Sequence, residues 1–194
     1  MKRVMIFYAS YGGGHLSAAR SIKEYIETNY KDIEIQLVDC MYYVNKLFDK
    51  VTTTAYAEMA KKIPQTWGKV YWHAQSGPIA QISTTSNKLL QDFNPELIIS
   101  THPCASTMCA YLKKQGKLNS KIATVLTDYA PHEQWLVFNE HVDYYFVSHE
   151  EMKKQLHEAG IPKEKIYATG IPLSNKFLLK YDKAQILQNF RFIS

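Results

Sequence analysis

Long hydrophobic runs are absent from this 194-residue chain. No stretch approaches the roughly 20 consecutive apolar residues that a bilayer-spanning helix needs, so any membrane contact is expected to be peripheral. Cysteine is scarce: Cys40, Cys104 and Cys109 are an odd number, with no Cys-x-x-Cys pair. That usage argues against a disulfide framework and points to free thiols in a reducing compartment. His102 beside Cys104 and Cys109 invites a metal reading, but the spacing follows no ligand pattern and no bound metal is expected. Met1-Lys2-Arg3 runs straight into an apolar stretch without the cleavage region of a signal peptide, so a cytoplasmic location is expected. Basic pairs are confined to Lys61-Lys62, Lys113-Lys114 and Lys153-Lys154. A net charge of +5 spread this thinly does not suit nucleic acid, though it suits a phosphate-bearing ligand or an anionic membrane surface. Internal repeats and low-complexity tracts are missing too.

What is present is an alternation. Apolar, β-branched runs occur at 3–9, Ile33–Val38, Leu97–Ile99, Ile122–Leu126, Val142–Val147 and Lys165–Ala168, with helical patterns at 15–29, 103–116 and 149–159. Strands that alternate with helices predict an α/β fold, a parallel sheet with helices on both faces. Ser148 with Glu151 reads as a capping box for the last helix, and Gly160 as its end. Residues 40–94 interrupt the pattern with helical propensity and rings at Tyr42, Tyr43, Phe48, Tyr56, Trp67, Tyr71 and Trp72. An enlarged crossover of this kind adds a cap, a lid or a binding surface. With Lys61, Lys62 and Lys69 the rings suit an interfacial face, although they equally suit the core of a helical layer.

The first strand pattern ends in Tyr11-Gly12-Gly13-Gly14-His15 and then a helix-forming segment. Glycines permit positive φ and let a ligand approach the main chain. Amides opening a helix favour anionic groups. His15 is the side chain there that can take up or give a proton near neutral pH, although it also reads as a plain polar residue at a helix start. Ligands of open α/β sheets bind beyond the carboxyl ends of the strands. Two further strand patterns end in polar groups: Ser100-Thr101-His102-Pro103, and Thr127-Asp128-Tyr129 with His132 and Trp135. Their common position on one rim makes a site plausible. Asp128 as a turn or cap residue, and Trp135 as core packing, are competing readings.

These same segments resemble the diacylglycerol glycosyltransferases, the monogalactosyldiacylglycerol synthases and bacterial processive diacylglycerol glucosyltransferases. The likeness rests on Tyr11–His15, on Asn94–Pro103, on Thr127-Asp128-Tyr129 with His132 and Trp135, and on Val142–Ser148 leading to Thr169-Gly170-Ile171-Pro172 and Phe177. The resemblance implies the N-terminal, acceptor-side half of a GT-B enzyme, whose two Rossmann-like domains face each other across a cleft. Residues 1–172 would be that domain, with the 40–94 insertion, and 173–194 a hinge segment toward a donor domain. It further implies transfer of a hexose from a UDP-sugar to diacylglycerol, with no metal or other cofactor and little activity from this half alone. His15 would be the catalytic base and Asp128 an orienting group. Gly12, Gly13, Gly14, Thr101, His102, His132, Trp135, Gly170 and Pro172 would contact substrate. Two alternatives remain. Asp39, ending the second strand, stands where a nucleotide-dependent Rossmann oxidoreductase places its ribose-binding acid, although Ser17 breaks the Gly-x-Gly-x-x-Gly pattern. The other is a non-catalytic module that binds lipid.

Overall fold

The computed structural model describes residues 2–10, 13–42, 87–180 and 182. Six strands form one parallel sheet: β1 (Lys2–Tyr8), β2 (Ile33–Asp39), β3 (Leu97–Ser100), β4 (Lys121–Val125), β5 (Tyr144–Val147) and β6 (Ile166–Ala168), in the order β2-β1-β3-β4-β5-β6. The composition of β1 explains its central place. Val4, Met5, Ile6 and Phe7 are all buried, as a strand covered on both faces requires. It pairs with β2 on one side (Ile6 with Leu37) and β3 on the other (Ile6 with Ile99).

Helix α1 (Gly13–Asn29) follows β1, α2 (Pro103–Lys114) follows β3, and α3 (Glu150–Glu158) follows β5. α1 packs by way of Ala18 and Ala19, small side chains that let it lie close to the sheet, with Val4, Ile6, Ile99 and Val125 making a core on that face. The larger core lies on the other face, where Met5, Phe7, Ile98 and Ile122 meet Cys104, Met108 and Leu112 of α2. Trp135, from the 3-10 turn Glu133–Leu136, completes it. The connection β1-α1-β2 runs one way across the sheet and β3 through β6 the other, so the strand order reverses between β1 and β3. That reversal opens the crevice where such sheets bind ligands.

The expected parallel α/β sheet is present, with strand and helix ends within two residues of the sequence reading. One local expectation is corrected. The N-cap of α3 is His149, whose Nδ1 accepts from the Met152 N–H at 3.2 Å, while the Ser148 hydroxyl meets the Met152 sulfur. An imidazole nitrogen does the job of the hydroxyl and the helix starts one residue later. Gly160 does end it, at φ +97°. Residues 40–42 and 87–93, the described ends of the expected insertion, are helical. The rings from Tyr43 to Trp72 lie outside the described residues.

Candidate active site

His15 is the third residue of α1, and Thr101 follows β3 directly, so the two stand on either side of the strand-order reversal. The His15 Nδ1 lies 2.6 Å from the Thr101 carbonyl oxygen and 2.7 Å from the Thr127 hydroxyl beyond β4. A carbonyl only accepts, so Nδ1 carries the proton and donates it there. In the neutral ring the lone pair then sits on Nε2. Thr101 fastens the arrangement from below: it is fully buried, and its hydroxyl donates to the His15 carbonyl at 2.9 Å. Its N–H also donates to the Phe7 carbonyl at 3.0 Å, which ties the loop after β3 to β1. His15 itself remains partly exposed.

His102 stands edge-on to His15, ring centroids 4.8 Å apart. Its Nδ1 accepts from the Cys104 N–H and caps α2. Burial, reinforced by the His15 ring, pushes its pKa down to about 3. Such a ring is neutral at pH 7 and a poor base. Of the two neighbouring histidines, His15 is therefore the one suited to take a proton.

Asp128 belongs to a second cluster. Its carboxylate accepts from the Trp135 indole N–H at 2.7 Å and faces the His132 Nε2 at 3.4 Å. The His132 contact holds its pKa below the usual carboxylate range with help from the indole, although burial pulls the other way. His132 is largely solvent-facing.

These positions correct several sequence expectations. Trp135 is buried, only 1% exposed, so it does not touch an acceptor; it anchors Asp128 instead. The Thr101 side chain is likewise enclosed and acts on His15, not on a ligand. Asp128 is neither a helix cap nor hydrogen-bonded to His15, since the orienting role falls to Thr101 and Thr127. Gly13 and Gly14 are helical, without positive φ, and a Cβ on either would meet nothing within 4 Å. The open space above them leaves room for a ligand, whereas backbone conformation does not demand glycine there. Gly12 lies outside the described residues. Gly170, at φ +86°, and Pro172 follow β6, two strands away from β4. Pro172 lines an apolar groove of about 560 Å³ with Ile22, Tyr25, Ile99, Val125 and Phe146, on the α1 face of the sheet. Asp39 accepts from the Met41 N–H at 2.9 Å, capping the helical turn after β2. Thr127 was the residue missed. Its signal lay in the alternation of β4, which sends Val125 and Thr127 to the same face as Ile99 and Thr101.

The family model described as monogalactosyldiacylglycerol (MGDG) synthase matches residues 15–173, from the clamped histidine to just past β6. The chain belongs to this family. That membership removes the oxidoreductase alternative. Among curated relatives, a processive diacylglycerol β-glucosyltransferase of Staphylococcus saprophyticus is 28% identical, over 97% of this chain and 49% of its own length. A processive diacylglycerol β-glucosyltransferase of Bacillus thuringiensis is 26% identical, over 98% of this chain and 52% of its own. The chain thus spans about half the length of the curated relatives it matches. Among solved structures, S. aureus MnaA in complex with UDP superposes with a TM-score of 0.59 at 13% identity, covering 98% of this chain and 50% of that one. At this identity the likeness shows the fold alone: the Rossmann-like sheet of this MGDG synthase family member matches half the length of that chain.

Proposed function

We propose that this chain is the acceptor-side half of a glycolipid-forming hexosyltransferase, which moves a sugar from a UDP-sugar to the free hydroxyl of diacylglycerol. The observation that carries the proposal is the clamp on His15. With Nδ1 held by the Thr101 carbonyl, Nε2 is the ring atom left to act. An alcohol is a weak nucleophile at neutral pH, so its proton must leave as the new bond forms. The acceptor O–H gives its proton to Nε2, its oxygen attacks the anomeric carbon, and the bond to the UDP oxygen breaks with its electron pair. Asp128 and His132, tied together at the rim, position the acceptor headgroup. On this reading residues 1–172 form the acceptor domain and 173–194 lead toward a donor-binding half.

The half-length match to the relatives supports testing this in a two-domain protein, with the donor half of the Staphylococcus saprophyticus relative joined after this chain. In that fusion His15→Ala is expected to cut turnover with UDP-glucose and diacylglycerol by about 100- to 10,000-fold, the usual worth of a positioned general base. The KM for UDP-sugar should hardly change. Turnover within a few-fold of the parent removes His15 from the mechanism.

A peripheral association with an anionic membrane surface, on the cytoplasmic side, belongs to the same proposal. No helix among the described residues is long and apolar enough to cross a membrane. The aromatic and lysine content of the 40–94 segment supports the membrane part. Co-sedimentation with anionic vesicles should fall when Lys61, Trp67 and Trp72 are substituted together, and equal binding by both proteins rejects it.

A further inference from the structure

The sequence offered Cys104 and Cys109 with His102 as a weak metal pattern. The fold makes a different trio. Cys40 follows β2 directly, His102 caps α2, and Cys104 lies in the first turn of α2. One donor atom from each lies within 4.8 Å of the other two, and the three sit among buried residues. Both cysteines are free thiols.

We propose that Cys40, His102 and Cys104 form a three-ligand nitrogen–sulfur site for a zinc ion, with the His102 ring near-perpendicular to that of His15. Two thiolates and one imidazole are a donor set that selects zinc over the hard cations magnesium and calcium. Bonds of about 2.3 Å to sulfur and 2.1 Å to nitrogen draw tetrahedral donors to about 3.5–3.8 Å apart. Three donor atoms already within 4.8 Å of one another lie about 1 Å from that spacing. Charge balance favours the site as well: two thiolates, a neutral imidazole and a divalent cation sum to zero, which a buried position tolerates. Ligation by thiolates exchanges two thiol protons for one cation: two S–H bonds break, two zinc–sulfur bonds form, and two protons go to solvent. Coordination through Nδ1 takes over the place of the Cys104 N–H, at the expense of one neutral hydrogen bond. The site does not depend on His15 being a base, since binding is read in the chain as it stands.

The test is a titration of the reduced, chelator-treated chain with Co²⁺ and then Zn²⁺. One equivalent of Co²⁺ should bring up thiolate-to-cobalt charge-transfer absorption and visible ligand-field bands, which one equivalent of Zn²⁺ abolishes. Cys40→Ser and Cys104→Ser should each lose the charge-transfer band in folded protein, and Cys109→Ser should keep it. Should the serine variants unfold, proton release decides in the unaltered chain, where two protons per Zn²⁺ are expected in weakly buffered solution. Absence of the thiolate band, its survival in either folded serine variant, or release of no protons overturns the proposal.

Discussion

At the scale of single residues, the site is a set of hydrogen bonds that fix one proton. The Thr101 carbonyl imposes the His15 tautomer, and the Thr127 hydroxyl holds the same nitrogen from a different strand. A neutral hydrogen bond contributes a net 0.5–1.5 kcal/mol or so. Since about 1.4 kcal/mol is tenfold in rate, the proposed function predicts that Thr127→Val slows transfer by the fusion described above up to about tenfold. Thr127→Ser keeps the hydroxyl and should restore the rate. Equal rates for valine and serine variants would show that Thr127 does not position the ring. His15 was legible because glycines and a histidine follow an apolar strand. Thr127 was not, because it contributes a hydroxyl two residues past a strand and the charge beside it drew the reading to Asp128. For Trp135 the sequence left acceptor contact and core packing both open, because a 3-10 turn of four residues has no periodicity from which burial can be read, and the packing reading holds.

At the scale of elements, the strands and helices were legible wherever apolar runs were continuous. β1 announced itself by four successive residues that are buried in the fold, and α2 by its run of small and apolar side chains. Contacts between distant segments were not legible. Phe138 adopts left-handed backbone at φ +57°, unusual for a bulky residue, and packs its ring against Tyr111 with the Lys114 ammonium 4.9 Å from the ring centre. Asp143, just before β5, binds Lys113 of α2 and Lys121 of β4 and accepts from the Ile122 N–H at 2.9 Å. Burial raises its pKa, but the lysine and amide bonds outweigh this and the net shift is downward. A depressed folded value contributes stability above the unfolded pKa and loses it as pH falls from about 4 through the folded value. Asp143→Asn should cost roughly 1–2 kcal/mol at neutral pH, discounted for the exposed Lys121 arm. The gap from the parent should narrow as pH drops below 4. Urea melts at pH 7 and at pH 3 check this, and a gap that stays constant contradicts it.

At the scale of the whole molecule, the strand order explains why the site is where it is. Reversal between β1 and β3 brings the start of α1 and the loop after β3 to one crevice, and β4 adds Thr127 from the next strand. The alternating pattern foretold a parallel sheet, yet not this order, because periodicity within a strand says nothing about its neighbours. The central claim is that the fold presents His15 with Nδ1 protonated and Nε2 bare. The most direct measurement is ¹⁵N–¹H NMR of the His15 ring in this chain, at a pH where the ring is neutral. The account predicts the Nδ1-protonated tautomer, with the proton in a hydrogen bond to the Thr101 carbonyl and Nε2 at the shift of an unprotonated nitrogen. A ring protonated at Nε2 would contradict it.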